Sequence, residues 1–322
     1  VSGFGWVPDP AGADEILRDD AADVWAWPAS ADAELGVGAT RYGTDKQPII
    51  LLHALLELEP HWSRGAQAIG DCVSWGYELA GTVLHACMIK AGEPVRWQGV
   101  YATEPLYGLM RVEALGRDRA GYRDGASGAA AAKACTRFGF LLRQDYSKTT
   151  GNPEHDLRKY SGQKAREWGN FGCGGKNDKD KLDELAKERP VQKAFRVTSF
   201  DQYAAAIESG YPVAICSGQG LGKRNSEGIA APRGSWSHCM LGTGLRFDVP
   251  CALITNSWGN SWGTYAPLPG TESDAVKKCS AWVERWVIEK MLKAGDSYAL
   301  TGLEGLVKRE IDWQSGWQID GR

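Results

Sequence analysis

The sequence contains no C-x-x-C pair, no lopsided charge and only five histidines. Nor does it contain an apolar run of about 18 residues, so no transmembrane helix is expected. Without paired cysteines, or a His/Cys/carboxylate cluster at ligand spacing, neither a zinc knuckle nor a dithiol redox motif is expected. No metal and no cofactor enter the reading. A formal charge of −3 offers no electrostatic footprint for nucleic acid or an anionic membrane. The stretch VSGFGWVPDPAGADE lacks the basic and apolar regions of a secretory signal, so a cytoplasmic or virion-associated protein is expected.

What is present is globular. The 322 residues, 43% hydrophobic and 24% charged, are enough for one large domain or two intimate lobes. Fourteen tryptophans point to large aromatic contacts in the core or along a cleft. Several of the eight cysteines lie in apolar runs, such as Cys87 in VLHACMI and Cys216 in PVAICS. They read as reduced core thiols and favour a reducing compartment.

Residues 1–47, rich in Ala, Gly, Asp and Pro, read as an extended arm. From Cys72 to Ile89, apolar residues at three-and-four spacing predict a buried helix, with Asp71 as its N-cap. A second helix is predicted through SGAAAAKACTRFG, stopping at Gly139. The charged run from Lys176 to Lys193 reads as a solvated surface helix. Ser199 and Gln202 form a capping box for a helix ending at Gly210. After a Val/Ile strand, GQGLGKRNSEG reads as a mobile Gly-rich loop; its spacing does not fit a phosphate loop. HCMLGTGLRF and CALITNSWG are strand-like. Helices first and strands later predict an α+β fold with two lobes.

The stretch AIGDCVSWG places Cys72 where a loop turns into the buried helix. A cysteine nucleophile needs its thiolate near neutral pH, and a helix N-terminus supplies partial positive charge and free N–H groups. It also needs an imidazole base and a third group to hold the ring. His85 is thirteen residues along the same helix, out of reach at about 1.5 Å of rise per residue. His238, at the start of an apolar strand, is the natural partner. Asn256 begins a turn after the next strand, where neighbouring strands can bring it beside His238. His53 and His61 read as surface or satisfied structural residues, and His155, in GNPEHDL, as a loop residue.

The segments IGDCVSW, SHCMLGTG and LITNSWGNSWG resemble, in order, the cysteine helix, histidine strand and asparagine turn of papain-like (C1) cysteine peptidases. The resemblance covers about residues 62–265 and is most specific in Asn-Ser-Trp-Gly-x-x-Trp-Gly at 256–263. It implies a papain-like two-lobe fold with a helical left lobe, an antiparallel β right lobe and a cleft between them. The expected divisions are the arm at 1–47, a catalytic core at 48–265 and a C-terminal extension at 266–322. Within the core, the helical lobe covers about 60–195 and the β lobe about 196–265. The resemblance assigns Cys72 as nucleophile, His238 as general base and acid, and Asn256 as the residue orienting the imidazole. Trp258 would cover the His–Asn hydrogen bond and border the substrate site. Asp124, Gly125 and Ser127 would flank a substrate backbone.

There are departures. The family's oxyanion glutamine stands six residues before the cysteine, where this chain has Ala66; Gln67 stands five before and is the candidate. Asp71 replaces the usual Ser before the nucleophile, and a carboxylate turned inward would disfavour the thiolate. Val73 replaces the usual Trp. Ile69 stands where the extracellular branch has a disulfide partner, so the chain reads as a divergent bacterial or phage-type relative. The expected function is thiol-dependent peptide hydrolysis on a peptide or protein substrate. The competing readings are a weak or inactive papain-like domain in a larger assembly such as a phage particle, contacting partners through arm and extension, and an amidase on peptidoglycan stem peptides.

Overall fold

The computed structural model describes residues 4–116, 123–176, 181–260, 262, 267–302 and 309–313. The charged stretch 177–180, the motif positions Ser261 and Gly263, and parts of the C-terminal extension lie outside the described residues. Among the described residues, no helix is long and apolar enough to cross a membrane.

The chain opens with α1 (Pro10–Leu17), β1 (Val24–Ala26), α2 (Ala29–Leu35), β2 (Ile49–Ile50) and α3 (Leu52–Leu58). Then comes α4 (Cys72–Lys90), the longest helix among the described residues and the axis of the helical lobe. It is buried almost all round, from Cys72 through Leu84 and again at Ala86 and Cys87. A helix with no polar face must lie in the middle of a fold. Against it pack α5 (Thr103–Gly108) and α6 (Gly128–Arg137); α7 (Ser147–Thr150), α8 (Gly162–Phe171) and α9 (Lys181–Ala186) follow, α8 packing on α5. In α9, Leu182 and Ala186 are buried and form the thin apolar stripe on which this otherwise charged helix seats.

The second lobe is a sheet built from β3 (Lys193–Arg196), β4 (Val213–Arg224), β5 (Ala230–Arg246) and β6 (Cys251–Thr255). With β7 (Ser280–Glu284) and β8 (Tyr298–Thr301) it runs in the order β1-β3-β8-β4-β5-β6-β7, β2 pairing with β5. All neighbours are antiparallel except β1 and β3. The sheet thus takes β1 from the arm and β7 and β8 from the C-terminal extension. Helices α10 (Phe200–Glu208), α11 (Asp274–Cys279) and α12 (Arg285–Leu292) complete the fold.

Local chemistry explains the punctuation. Ser199 caps α10 by accepting from the Gln202 N–H, while the Gln202 side chain reaches back to the Thr198 N–H. The Gly-rich stretch from Gly218 to Gly222 is a correction to the expected mobile loop, because it is the outer half of β4. Its pairing with β5 continues through register shifts to Arg224 opposite Ala230. Gly220 permits this: a Cβ there would lie 2.2 Å from the Arg233 carbonyl oxygen. Glycine here serves close strand approach, not disorder.

The lobes meet where α4 lies against β5. A Cβ on Gly76 would lie 2.9 Å from Cys239 Sγ, so helix and strand touch at a residue with no side chain. Gly76→Ala is therefore expected to overpack the seam and cost about 1–3 kcal/mol, read as a lower urea midpoint. An unchanged midpoint would show that the seam yields freely.

Candidate active site

Strand register builds one half of the site. Leu241 on β5 pairs with Thr255 on β6 in an antiparallel ladder. β6 ends at Thr255, and the turn that follows it carries Asn256 and Trp258 back beside His238, Trp258 forming an isolated bridge with Ala66. His238 Nε2 lies 2.8 Å from Asn256 Oδ1, and the Trp258 ring stacks on the imidazole at 4.6 Å with a 27° interplanar angle. Trp236 meets both rings edge-on, at 5.6 Å from His238 and 4.9 Å from Trp258.

The tautomer is set by what the amide oxygen can do. Asn256 Oδ1 also accepts from the Ser257 N–H at 2.7 Å, which fixes the amide orientation. An oxygen accepts only, so Nε2 carries the proton and Nδ1 is the ring nitrogen suited to proton exchange. His238 and Asn256 are fully buried, and the aromatic cover keeps water from their bond.

The other half comes from α4. Cys72 is its first residue, at the positive end of the helix, and the Cys239 N–H points at its sulfur at 3.4 Å. The thiol therefore lies against the residue that follows His238. Burial pushes the Cys72 thiol well above its ordinary range, with Cys239 as a further neighbour. In this closed arrangement the neutral thiol is the favoured form.

Gln67 lies beside this pair. Its backbone N–H donates to the Ser257 carbonyl, its side-chain oxygen accepts from the Ser257 hydroxyl, and its Nε2 donates to the Ile69 carbonyl. The loop before Cys72 is tied to α4 by the buried Arg64–Glu78 ion pair at 3.0 Å and by Arg64 donating to the Trp75 carbonyl.

Asp71 corrects the expected cap. Its side chain makes no capping bond; Oδ2 instead accepts from Tyr160 Oη at 2.8 Å and Trp75 Nε1 at 3.2 Å, while Oδ1 is buried without a hydrogen-bond partner. Burial pushes this carboxyl up to about 7. A proton beside Cys72 removes the charge that would oppose the thiolate.

The remaining expected residues divide. The Gly125 N–H donates to Tyr107 Oη at 2.7 Å, and Arg111 donates to the Gly125 carbonyl. Gly125 adopts a φ of 118°, which favours glycine. Asp124 Oδ2 accepts from the Gly70 N–H at 3.4 Å. Ser127 caps α6, accepting from the Ala130 N–H at 3.3 Å.

The cleft is already filled by the chain itself. Gly5 and Trp6 both donate their N–H groups to the Ser237 carbonyl at 3.1 Å, on the sheet side. On the helical side, Ala126 N–H donates to the Gly5 carbonyl and Val7 N–H to the Ala126 carbonyl, each at 2.9 Å. Gly5 also presents its N–H to the Cys72 thiol. Phe4 sets its ring edge-on to His238 at 6.4 Å and Trp258 at 6.0 Å. Trp6 is buried, and its indole N–H donates to Asp296 Oδ2 at 2.7 Å. Sequence reasoning did not find Ala126, Ser237, Asp296 or this segment. Ala126 and Ser237 act through their backbones, which leave no side-chain signal. The neighbours Asp124, Gly125 and His238 were the only pointers.

No protein-family model and no curated protein sequence matches the chain. Solved structures do match. The crystal structure of xylellain, a cysteine protease from Xylella fastidiosa, aligns with a TM-score of 0.58 at 16% identity, covering 94% of this chain and 97% of that one. Digestive procathepsin L2 from Tenebrio molitor larval midgut aligns at 0.51 and 14% identity, over 93% and 78% of the two chains. A structure from work on the mite allergens Blo t 1 and Der p 1 aligns at 0.50 and 14% identity, over 94% and 81%.

Asp71 makes the site's pH response testable. Its folded pKa is raised above the unfolded value, so its contribution to stability is full below about 4 and is lost as pH rises through about 7. Asp71→Asn is expected to flatten the fall in urea midpoint between pH 5 and pH 8; identical profiles for the two proteins would contradict this. With cleft, seam and paired lobes in place, this strongly diverged chain has the papain-like fold.

Proposed function

We propose that the protein is a cysteine peptidase whose cleft is held closed by its own N-terminal segment. The observation that carries the reading is the His238–Asn256 pair beneath Trp258, with the Cys72 thiol held against the N–H of Cys239, the residue after His238. The segment at Phe4–Val7 adds support. A strand of polypeptide lies over the thiol and hydrogen-bonds to backbone groups of both lobes, as an extended peptide ligand would.

In this reading His238 Nδ1 takes the proton of Cys72 once the segment leaves and the thiol is hydrated. Sγ attacks the substrate carbonyl carbon. Collapse of the tetrahedral adduct breaks the C–N bond as His238 gives its proton to the leaving amine, leaving a thioester. His238 then removes a proton from water, which attacks the thioester, releasing the acid and returning the thiol. Asn256 holds the ring in its productive tautomer throughout. The Cys72 N–H and the Gln67 amide are the candidate oxyanion donors. Ser257 holds the oxygen end of that amide, and its NH2 would exchange the Ile69 carbonyl for the oxyanion.

The inactive alternative has less in its favour. A retired site has no reason to keep a buried His–Asn pair, the aromatic lid over it and a thiol at the helix start.

Two experiments test the reading. Gly5 passes so close to the helix entrance that a Cβ would lie 1.9 Å from the Gly70 carbonyl oxygen. Gly5→Val therefore cannot seat, and it is expected to raise iodoacetamide labelling of Cys72 near pH 6 by about tenfold or more, as expected for losing a contact of 1–3 kcal/mol. His238→Ala in that background should abolish the gain. Labelling that rises only above pH 8, with or without His238, would mean an ordinary thiol. In the same Gly5→Val protein, Gln67→Ala should lower kcat on peptide substrates by about 10²–10³. A loss below threefold would remove Gln67 from the oxyanion site.

A further inference from the structure

Trp6 is held at both ends of the residue. Its backbone sits between Ser237 of the sheet lobe and Ala126 of the helical lobe, where any extended chain in the cleft would lie. Its side chain is 7% exposed, and its indole N–H ends on Asp296. Asp296 comes from the C-terminal extension, just before β8, and is 4% exposed. Its other bonds go to the first two residues of α6: Oδ2 accepts from the Gly128 N–H at 2.6 Å and Oδ1 from the Ala129 N–H at 2.7 Å.

We propose that Asp296 is the specificity-determining residue of the cleft, and that the subsite filled by Trp6 selects tryptophan from a peptide substrate. The assignment rests on the peptidase reading above and deepens it. The helix N-terminus and two backbone N–H groups already balance most of the carboxylate's charge. What remains is an acceptor for one donor at the end of a broad, buried slot. Phenylalanine or leucine would fill the slot and forfeit a charge-assisted hydrogen bond. Arginine would bring five N–H donors to a carboxylate both of whose oxygens already accept from the Gly128 and Ala129 N–H groups, so most of its donors would lack acceptors. Tryptophan supplies a flat apolar body and one N–H. Gly128 belongs to the design as well: a Cβ there would lie 2.3 Å from the Asp296 carbonyl oxygen, so a side chain would push the acid out of place.

The test uses the full chain with Gly5→Val, which unseats the segment, Trp6→Ala, which removes the competing indole, and Cys72→Ser, which stops turnover. Fluorescein-labelled peptides Phe-Gly-X-Val, with X as tryptophan, 1-methyltryptophan, phenylalanine or arginine, are titrated by fluorescence polarisation. The tryptophan peptide is expected to bind about 10- to 100-fold more tightly than the 1-methyltryptophan and phenylalanine peptides, the worth of a hydrogen bond to a charged group. Asp296→Asn should remove most of that advantage. Because Asp296 also caps α6, the 1-methyltryptophan peptide tests the same bond with the protein unaltered. Equal binding of tryptophan and 1-methyltryptophan peptides, tightest binding of the arginine peptide, or no binding of any peptide would overturn the assignment. The outcomes separate from the peptidase reading itself. A reactive Cys72 without tryptophan preference sinks only the role of Asp296. Tryptophan preference with an unreactive Cys72 leaves the subsite and removes the catalysis.

Discussion

The close approach of α4 to β5 is the constraint on which the rest of the molecule depends. The helix is buried on nearly every side, so it lies between the two lobes, and Gly76 lets it come down onto Cys239 without a side chain between them. Cys239 follows His238 in the chain, so the same contact that packs the core also brings the thiol up to the imidazole strand. Buried packing is stiff compared with loops, and a site built on it inherits that stiffness. The Arg64–Glu78 ion pair extends the stiffness to the loop carrying Gln67.

Two buried acids border this seam, and they behave differently because their partners differ. Asp71 has two donors on a single oxygen and none on the other, and burial lifts it to about 7. Asp296 has three donors spread over both oxygens and lies at a helix start, yet burial still lifts it to about 6. Near neutral pH the first is divided between its protonated and ionised forms beside Cys72, and the second is mostly ionised where it accepts the Trp6 indole N–H. Solvation and hydrogen bonding thus sort two chemically identical side chains into separate roles.

The N-terminal segment and the C-terminal extension are joined through the cleft. Trp6 reaches Asp296, and Asp296 reaches α6, so chain ends that are 290 residues apart in sequence meet on the wall of the site. The sheet repeats the pattern, since β1 pairs with β3 and β3 with β8. An arm anchored in this way is part of the fold, and its seating over Cys72 couples access to the thiol with the packing of both ends.

Much of this was legible in the sequence. The three-and-four spacing after Cys72 determined a buried helix, and the segregation of helical stretches before strand-like ones determined the two-lobe class. The order of Cys72, His238 and Asn256, with Trp258 beside the last, specified which side chains could form a site. Those features are local, and short-range periodicity records them. What only the tertiary structure decided is where backbone groups and distant chain ends come to rest. The turn after β6 put Trp258 over His238, hydrogen bonds from Tyr160 and Trp75 drew Asp71 away from a capping role, and close strand approach at Gly220 made a strand of a glycine-rich stretch. The seating of Phe4–Val7 uses main-chain N–H and C=O groups that every residue carries. A sequence cannot mark such contacts, because their energy depends on which surfaces the whole chain brings together.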